Sequence, residues 1–521
     1  MKRGFIHANL WKDDRDAFLV EEGRFVKIGR SAEIEKMLDA EDELIDLHGA
    51  FVVPGFIDSH MHLLNYGTYL SNIQLLDCRS KEQVLKRLTD GLSALEKGDW
   101  LKARGFNEGL FEVPEKITKK DLDGISKEIP IAVTRACGHL MCVNSKALEL
   151  AGIDETTTME GGDIDFENGI LTEYAINPVT AAMPGVSYER IEKAVKKAQR
   201  ELNRYGITSV GSDDFISLSD DWRAVLDAFM KLSYTRKLTV RINEQCEFPS
   251  LEEFANFLDE GYTTDVGDDY FRIGPLKLIA DGSLGARTAA LRKPYSDSPE
   301  ERGTLILDRE AMRAWIRLAS DYNMPAIVHA IGDQTVDEVL ACMREFVLEG
   351  NPLHAGLVHC QIMNKAQTAE ICARKLNAYF QSLFIDPDAK ILKDRVGGAR
   401  AAESYPFKTL FEHTTASNGS DAPVEIPDVL KGIELAVRRT SLDGSASMNP
   451  DECLSVDQAI ESYTENGARA FGLEDRVGFI REGYLADFAV IDHDLTVLKP
   501  EAIHTAKVIM TVMDGETVFE C

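Results

Sequence analysis

The chain has 521 residues and carries 58 Lys and Arg against 87 Asp and Glu, a formal charge of −29 at neutral pH. At roughly 100–200 residues per domain, that length holds several domain-sized units or one large barrel with additions. A composition of 44% hydrophobic and 28% charged residues excludes a disordered or low-complexity chain, and the negative field disfavours nucleic acid and anionic membrane surfaces as partners.

Along the chain, Arg24 to Gly29 and Glu43 to His48 alternate apolar and polar residues as short strands do. From about residue 55 to 476 apolar strands alternate with amphipathic helical stretches, such as Tyr188 to Tyr205 and Arg309 to Tyr322. Eight strands are expected, near 55–62, 206–212, 238–245, 273–281, 325–329, 355–360, 377–383 and 415–421. That count and alternation belong to an α/β fold, a (β/α)8 TIM barrel. The stretch between the first and second strands is too long for a loop and reads as an inserted α+β subdomain. Near the end, strand patterns recur at 477–483, 486–492 and 508–519. The expected organisation is a β-sandwich built from both termini (1–53 with 477–521), a barrel (54–65 with 186–476) and the insert (66–185).

The N-terminal segment meets Lys12, Asp13 and Asp14 before any leader-length apolar run, and no run approaches the roughly 20 residues of a membrane span. Nine cysteines without a CxxC pair read as small buried thiols of a cytoplasmic protein. Cys137 and Cys142 bracket His139, but no second pair completes a tetrahedral zinc site. The chain contains no GxSxG, GxGxxG or GxxxxGK[ST], which removes serine-hydrolase, dinucleotide and P-loop readings.

The chemistry concentrates at strand ends. Val53-Pro-Gly-Phe-Ile-Asp-Ser-His-Met-His62 places His60 and His62 two residues apart, on one face of the first strand. Two more apolar strands end at His329 and His359, and the eighth closes at Asp421. Since the C-terminal ends of barrel strands share one mouth, these five residues form a candidate metal site. Lys277 sits inside the apolar fourth strand, where an ammonium must be paired or neutralised. It is either ion-paired or converted by carbon dioxide into a carbamate.

The motifs PGFIDSHMH (54–62), KLIADGSLGART (277–288), HAIGD (329–333), the His359 strand and GSDAPVE (419–425), with VGFIREGYLADFAVID (477–492), resemble the amidohydrolase superfamily. The likeness is specifically to its YtcJ-like branch, which includes N-substituted formamide deformylases and AepA-type proteins. That resemblance implies a metal-ligand set of His60, His62, carboxylated Lys277, His329, His359 and Asp421. The expected cofactor is a divalent metal, zinc by its donors, as one ion, or two if Lys277 is carboxylated. The implied reaction is hydrolysis of an amide-type C–N bond of a small molecule by a metal-activated hydroxide, with Asp421 as general acid and base. A cyclic amide or lactone hydrolase, a deaminase, and a non-catalytic scaffold protein are the alternatives. The insert reads Cys137-Gly-His-Leu-Met-Cys-Val-Asn-Ser145, similar to the branch's GHxxxxNS pattern. His139 is therefore expected as an oxyanion donor, and His139, Asn144 and Arg287 as substrate-binding groups. Asp281 and Asp333 are expected to hold turns. The expected partner is a small-molecule substrate, with homo-oligomerisation left open.

Overall fold

The structure, a computed structural model, describes every residue except 96–97, 137–138, 160, 186 and 219–220, and residue 94 without its side chain. Two compact units are formed, one by Met1–Tyr66 with Ile191–Cys521 and one by Gly67–Arg190.

The first unit is built on eight parallel strands in chain order: β1 Phe56–Met61, β2 Ile207–Ser212, β3 Arg241–Cys246, β4 Phe271–Ile279, β5 Ala326–Ala330, β6 Gly356–His359, β7 Asn377–Phe380 and β8 Ala416–Asn418. All of β2 and β3 is buried, because barrel strands are covered on both faces. The barrel closes where the chain leaves β8: the Asp421 N–H donates to His60 O and the His62 N–H to Ala422 O, each at 2.8 Å. Closure thus brings the first strand's histidines against the last strand's acid.

Helices cover the strands as their patterns dictate. In α1, Tyr188–Arg204, Ile191, Ala194, Val195, Ala198 and Leu202 are buried, the 3.6-residue stripe of a one-sided helix. Arg309–Asp321 (α2) is started by Asp308, whose carboxylate accepts from the Ala311 N–H.

The termini form two further sheets, the first from N-terminal strands alone and the second from both ends. One orders Arg24–Gly29, Ala17–Glu21, Lys2–Ile6 and Glu43–Asp46; the other orders Asn9–Leu10, Phe51–Pro54, Phe488–Ile491, Val508–Met513 and Glu516–Glu520. Their shared core joins Phe5, Phe18 and Phe25 to Phe488, with Phe5 and Phe18 ring centroids 4.9 Å apart and Phe5 and Phe488 5.0 Å apart. The last hairpin turns at Asp514 (φ 55°) and Gly515 (φ 76°), the residue pair that such a turn selects. One expected strand is absent. Residues 477–483 form turns, because Gly478 (φ 83°) and Gly483 (φ 89°) take the backbone out of the extended region, and only Leu485 bridges Arg24.

The second unit, inserted between β1 and β2, carries a six-stranded sheet ordered Ile164–Asp165, Ile170–Thr172, Leu140–Val143, Ile131–Arg135, Leu101–Phe106 and Ile73–Gln74. Alternate residues serve two cores: Val133 and Cys142 pack with Leu88 and Phe106, whereas Ala132 and Val143 pack with Trp100 and Leu171. Cys137 lies outside the described residues, and burial pushes the Cys142 thiol up to about 12. Among the described residues no helix is long and apolar enough to cross a membrane.

Candidate metal centre

Asp58, Ser59 and His60 are all buried within β1, and His62 follows the strand end. The two imidazoles converge on one oxygen: His60 Nε2 lies 3.4 Å and His62 Nε2 3.2 Å from Asp421 Oδ1. Among the described residues these three form a group whose ligand atoms all lie within 4.8 Å of one another. His359 follows, its ring centroid 5.8 Å from that of His60, and His329 lies 4.3 Å from His359. Five of the six expected ligands are therefore contiguous. Asp421 (φ 58°) and His359 (φ 79°) both adopt the left-handed backbone region, rare for residues with a Cβ and concentrated at functional turns.

Each histidine has one nitrogen committed to an acceptor. His60 Nδ1 lies 2.5 Å from Gln245 Oε1, His62 Nδ1 3.1 Å from Asp213 O, His359 Nδ1 2.8 Å from Gln381 Oε1, and His329 Nε2 3.1 Å from Gly282 O. In a neutral imidazole the committed nitrogen carries the hydrogen and the other keeps its lone pair. The lone pairs of His60 and His62 then face Asp421, which is the arrangement a divalent ion needs. Two nitrogens and a carboxylate oxygen suit zinc or a similar transition ion better than calcium, which takes six to eight oxygens.

Charges follow the same geometry. Burial opposes the charged form of His62, but its hydrogen bond to Asp421 and the charges of Asp213 and Asp421 outweigh it and raise its pKa to about 9. Burial, followed by the charge of Lys277, lowers His60, and burial with neighbouring His329 holds His359 well below the usual range. Burial would lift Asp421, but hydrogen bonds from His60 and His62 keep it well below the ordinary carboxylate range.

Lys277 is 1% exposed and pairs with Asp213 Oδ2 at 3.2 Å. Of the two expectations for this lysine, the ion pair is the arrangement found. Asp213, just past β2, is a site residue that sequence reasoning missed, although a strand ending in an acid is the same signal that identified Asp421. Gln245 and Gln381 were missed as well, and amides at strand ends carry no such signal.

The expected substrate-binding groups divide. Asn144 requires correction: its oxygen accepts from the Ile131 and Ala147 N–H groups, and its amide nitrogen donates to Ser126 O and Ile129 O. Fully buried and with its bonding capacity filled, it caps the helix Ser145–Leu150 and has nothing left for a substrate. Arg287 is engaged by Asp297 in a two-point pair at 3.1 and 3.0 Å. His139, in the inserted unit, is exposed, with Nδ1 2.9 Å from Glu173 Oε2. Asp281 holds turns, as its sequence position suggested, accepting from the Ala290, Ile331 and Gly332 N–H groups and the Thr335 hydroxyl. Asp333 likewise accepts from the Arg292 N–H.

A cavity of about 450 Å³ opens at the opposite pole of the barrel, lined by Asn243, Thr264, Pro325, His354, Tyr379 and Phe471 among others. Volume alone would favour it as the binding site. Its hydroxyls are already committed, Thr264 to Gly274 O and Tyr379 to Ala470 O, and the metal-type donors gather at the other end.

Comparison with known proteins gives a consistent result. Residues 43–519 match the amidohydrolase family Amidohydro_3. The protein named amidohydrolase YtcJ in Bacillus subtilis (strain 168) is 32% identical over 528 residues, covering 99% of this chain and 98% of that one. The N-substituted formamide deformylase of Arthrobacter pascens is 23% identical over 527 residues, covering 97% and 95%. Among solved structures, an uncharacterised metal-dependent hydrolase from Pyrococcus horikoshii OT3 superposes with a TM-score of 0.82 at 26% identity, covering 96% of this chain and 99% of that one.

Proposed function

The chain belongs to the amidohydrolase family, and from that premise we propose that it hydrolyses an amide-type C–N bond of a small molecule at the C-terminal mouth of its barrel. The observation that carries this reading is the convergence of His60 Nε2 and His62 Nε2 on Asp421 Oδ1 beside His359 and His329. His60, His62 and Asp421 would hold a divalent ion, zinc by its donors, with His329 and His359 available to a second if Lys277 becomes a carbamate in place of its pair with Asp213. When bound, such an ion supplies a water acidified from 15.7 to about 7 and polarises the scissile carbonyl.

The chain's own residues then have separable tasks. Asp421 takes a proton from the attacking water on its carboxylate and returns it to the departing nitrogen, which would otherwise leave as an unstable amide anion. The main-chain and glutamine acceptors hold the four imidazoles in orientation. His139 is the proposed donor to the developing oxyanion, a role resting on its sequence pattern and tested by His139→Ala. The relative whose name specifies an N-substituted formamide supports a C–N bond over an ester.

The reading is tested with Asp421→Asn in metal-replete protein, assayed against N-formyl, N-acyl, cyclic amide and lactone compounds. The expected result is turnover of an N-acyl or N-formyl compound by the wild type, reduced by about 10²–10⁴ in the variant with metal retained. Full activity in the variant sinks the role of Asp421, and a preference for lactones sinks the bond assignment.

A further inference from the structure

His62 and His329 are oriented by main-chain carbonyls, which no substitution removes, whereas His60 and His359 are oriented by side chains. The two side chains are both glutamines, on β3 and just past β7, and both are buried, Gln245 at 0% and Gln381 at 1% exposure. Their amides cannot turn freely. Gln245 Nε2 donates to Ser59 O at 2.9 Å and Gln381 Nε2 to Tyr379 O at 3.1 Å, so each oxygen is aimed at an imidazole. The partners thus form two relays of the same design, main-chain carbonyl to carboxamide to imidazole.

We propose that Gln245 and Gln381 are positioning residues for metal binding, each locking its histidine in the Nδ1–H form so that Nε2 presents a lone pair to the ion. The inference rests on the metal-dependent reading above and adds to it the residues that prepare the ligands before any ion arrives.

The test uses Gln245→Leu and Gln381→Leu, which remove the acceptor at similar volume, and Gln245→Glu and Gln381→Glu, which keep an acceptor oxygen facing the imidazole. Gln199→Leu is the control, since Gln199 is also buried but binds only Lys237 O and the Thr239 N–H. Zn²⁺ affinity is measured by competition with a chromophoric chelator, and histidine protonation by ¹⁵N NMR of metal-free, ¹⁵N-histidine-labelled protein. Each Leu variant is expected to lose 10–100-fold in affinity, the usual cost of removing such a partner. It should also convert one histidine signal from a single Nδ1–H pattern to a mixture. The Glu variants should keep the single pattern and the wild-type affinity to within about threefold, and they carry the test should a Leu variant fail to fold. The proposal is overturned by Leu variants with an unchanged histidine pattern, by Glu variants that lose as much as Leu, or by an equal loss in Gln199→Leu. Should the wild type bind no Zn²⁺, the metal-dependent reading fails, while the metal-free histidine pattern still decides what the glutamines do.

Discussion

The two poles of the barrel treat buried charge in opposite ways. At the N-terminal pole Arg241 donates to both oxygens of Asp487 at 2.6 and 2.8 Å and to Asp269 O at 2.7 Å, and Asp487 also accepts from the Asp514 N–H. Burial opposes the Arg241 charge, yet its acidic partners raise its pKa further, so the pair ties β3 firmly to the terminal sheets. At the C-terminal pole the sign reverses for several carboxyls. Burial lifts Asp214 and Asp388 to about 6 and Asp58, Glu247 and Glu425 to about 7. One end has matched charges and supports the fold. The other keeps groups that the fold would rather have neutral, the usual mark of a site selected for chemistry over stability.

That contrast can be broken by substitution. His60→Ala should have the largest effect, abolishing stoichiometric metal and turnover while the circular dichroism spectrum stays native; retained metal at one ion per chain would contradict the assignment. Asp487→Ala should act the other way round. Leaving Arg241 buried without its partner should cost about 3–5 kcal/mol in urea unfolding, with metal content per folded chain unchanged.

A third substitution sharpens the comparison within the chemical pole. Asp388, whose Oδ2 accepts from the Tyr405 hydroxyl at 2.6 Å, is raised from 3.8 to about 6 by burial. Between those values the folded state holds a proton that the unfolded chain has released. Its contribution is therefore complete below pH 4, declines as the pH rises, and above pH 6 leaves a constant penalty. Asp388→Asn should equal wild type near pH 4 and exceed it by about 2–3 kcal/mol at pH 7, and a pH-independent difference would exclude this account. The smallest effect is expected at the surface, where Arg287→Ala should leave the urea-unfolding midpoint essentially unchanged, because an exposed ion pair adds little to stability. A raised KM in that variant would restore Arg287 to substrate binding.

Much of this arrangement was legible in the chain, for particular reasons. Strands buried on both faces must be apolar throughout, so a histidine or aspartate at the end of such a run stands out, and His60, His62, His329, His359 and Asp421 were found that way. The strands Arg24–Gly29 and Glu43–Asp46 of the terminal sheet followed from alternation of apolar and polar residues. What escaped depends on where the chain goes outside the local window. Asn144 looks the same in sequence whether it faces a substrate or caps a helix, and its partners at Ser126, Ile129 and Ile131 decide the matter. The pairing of Lys277 with Asp213, 64 residues away, arises only when β2 and β4 line the same barrel. The turns at 477–483 were hidden because alternation suggests a strand even where two glycines take positive φ.

Barrel closure through His60 O and the Asp421 N–H also sets a timetable. His62 and Asp421 are separated by 359 positions, and at about 5–20 residues per second a ribosome needs roughly 20–70 s to make that stretch. Throughout that interval the growing chain carries the first histidine pair without the acid that completes the group. The candidate metal centre is thus completed only when the last barrel strand has been made, so a stable complex of all three donors with an ion has to wait for Asp421.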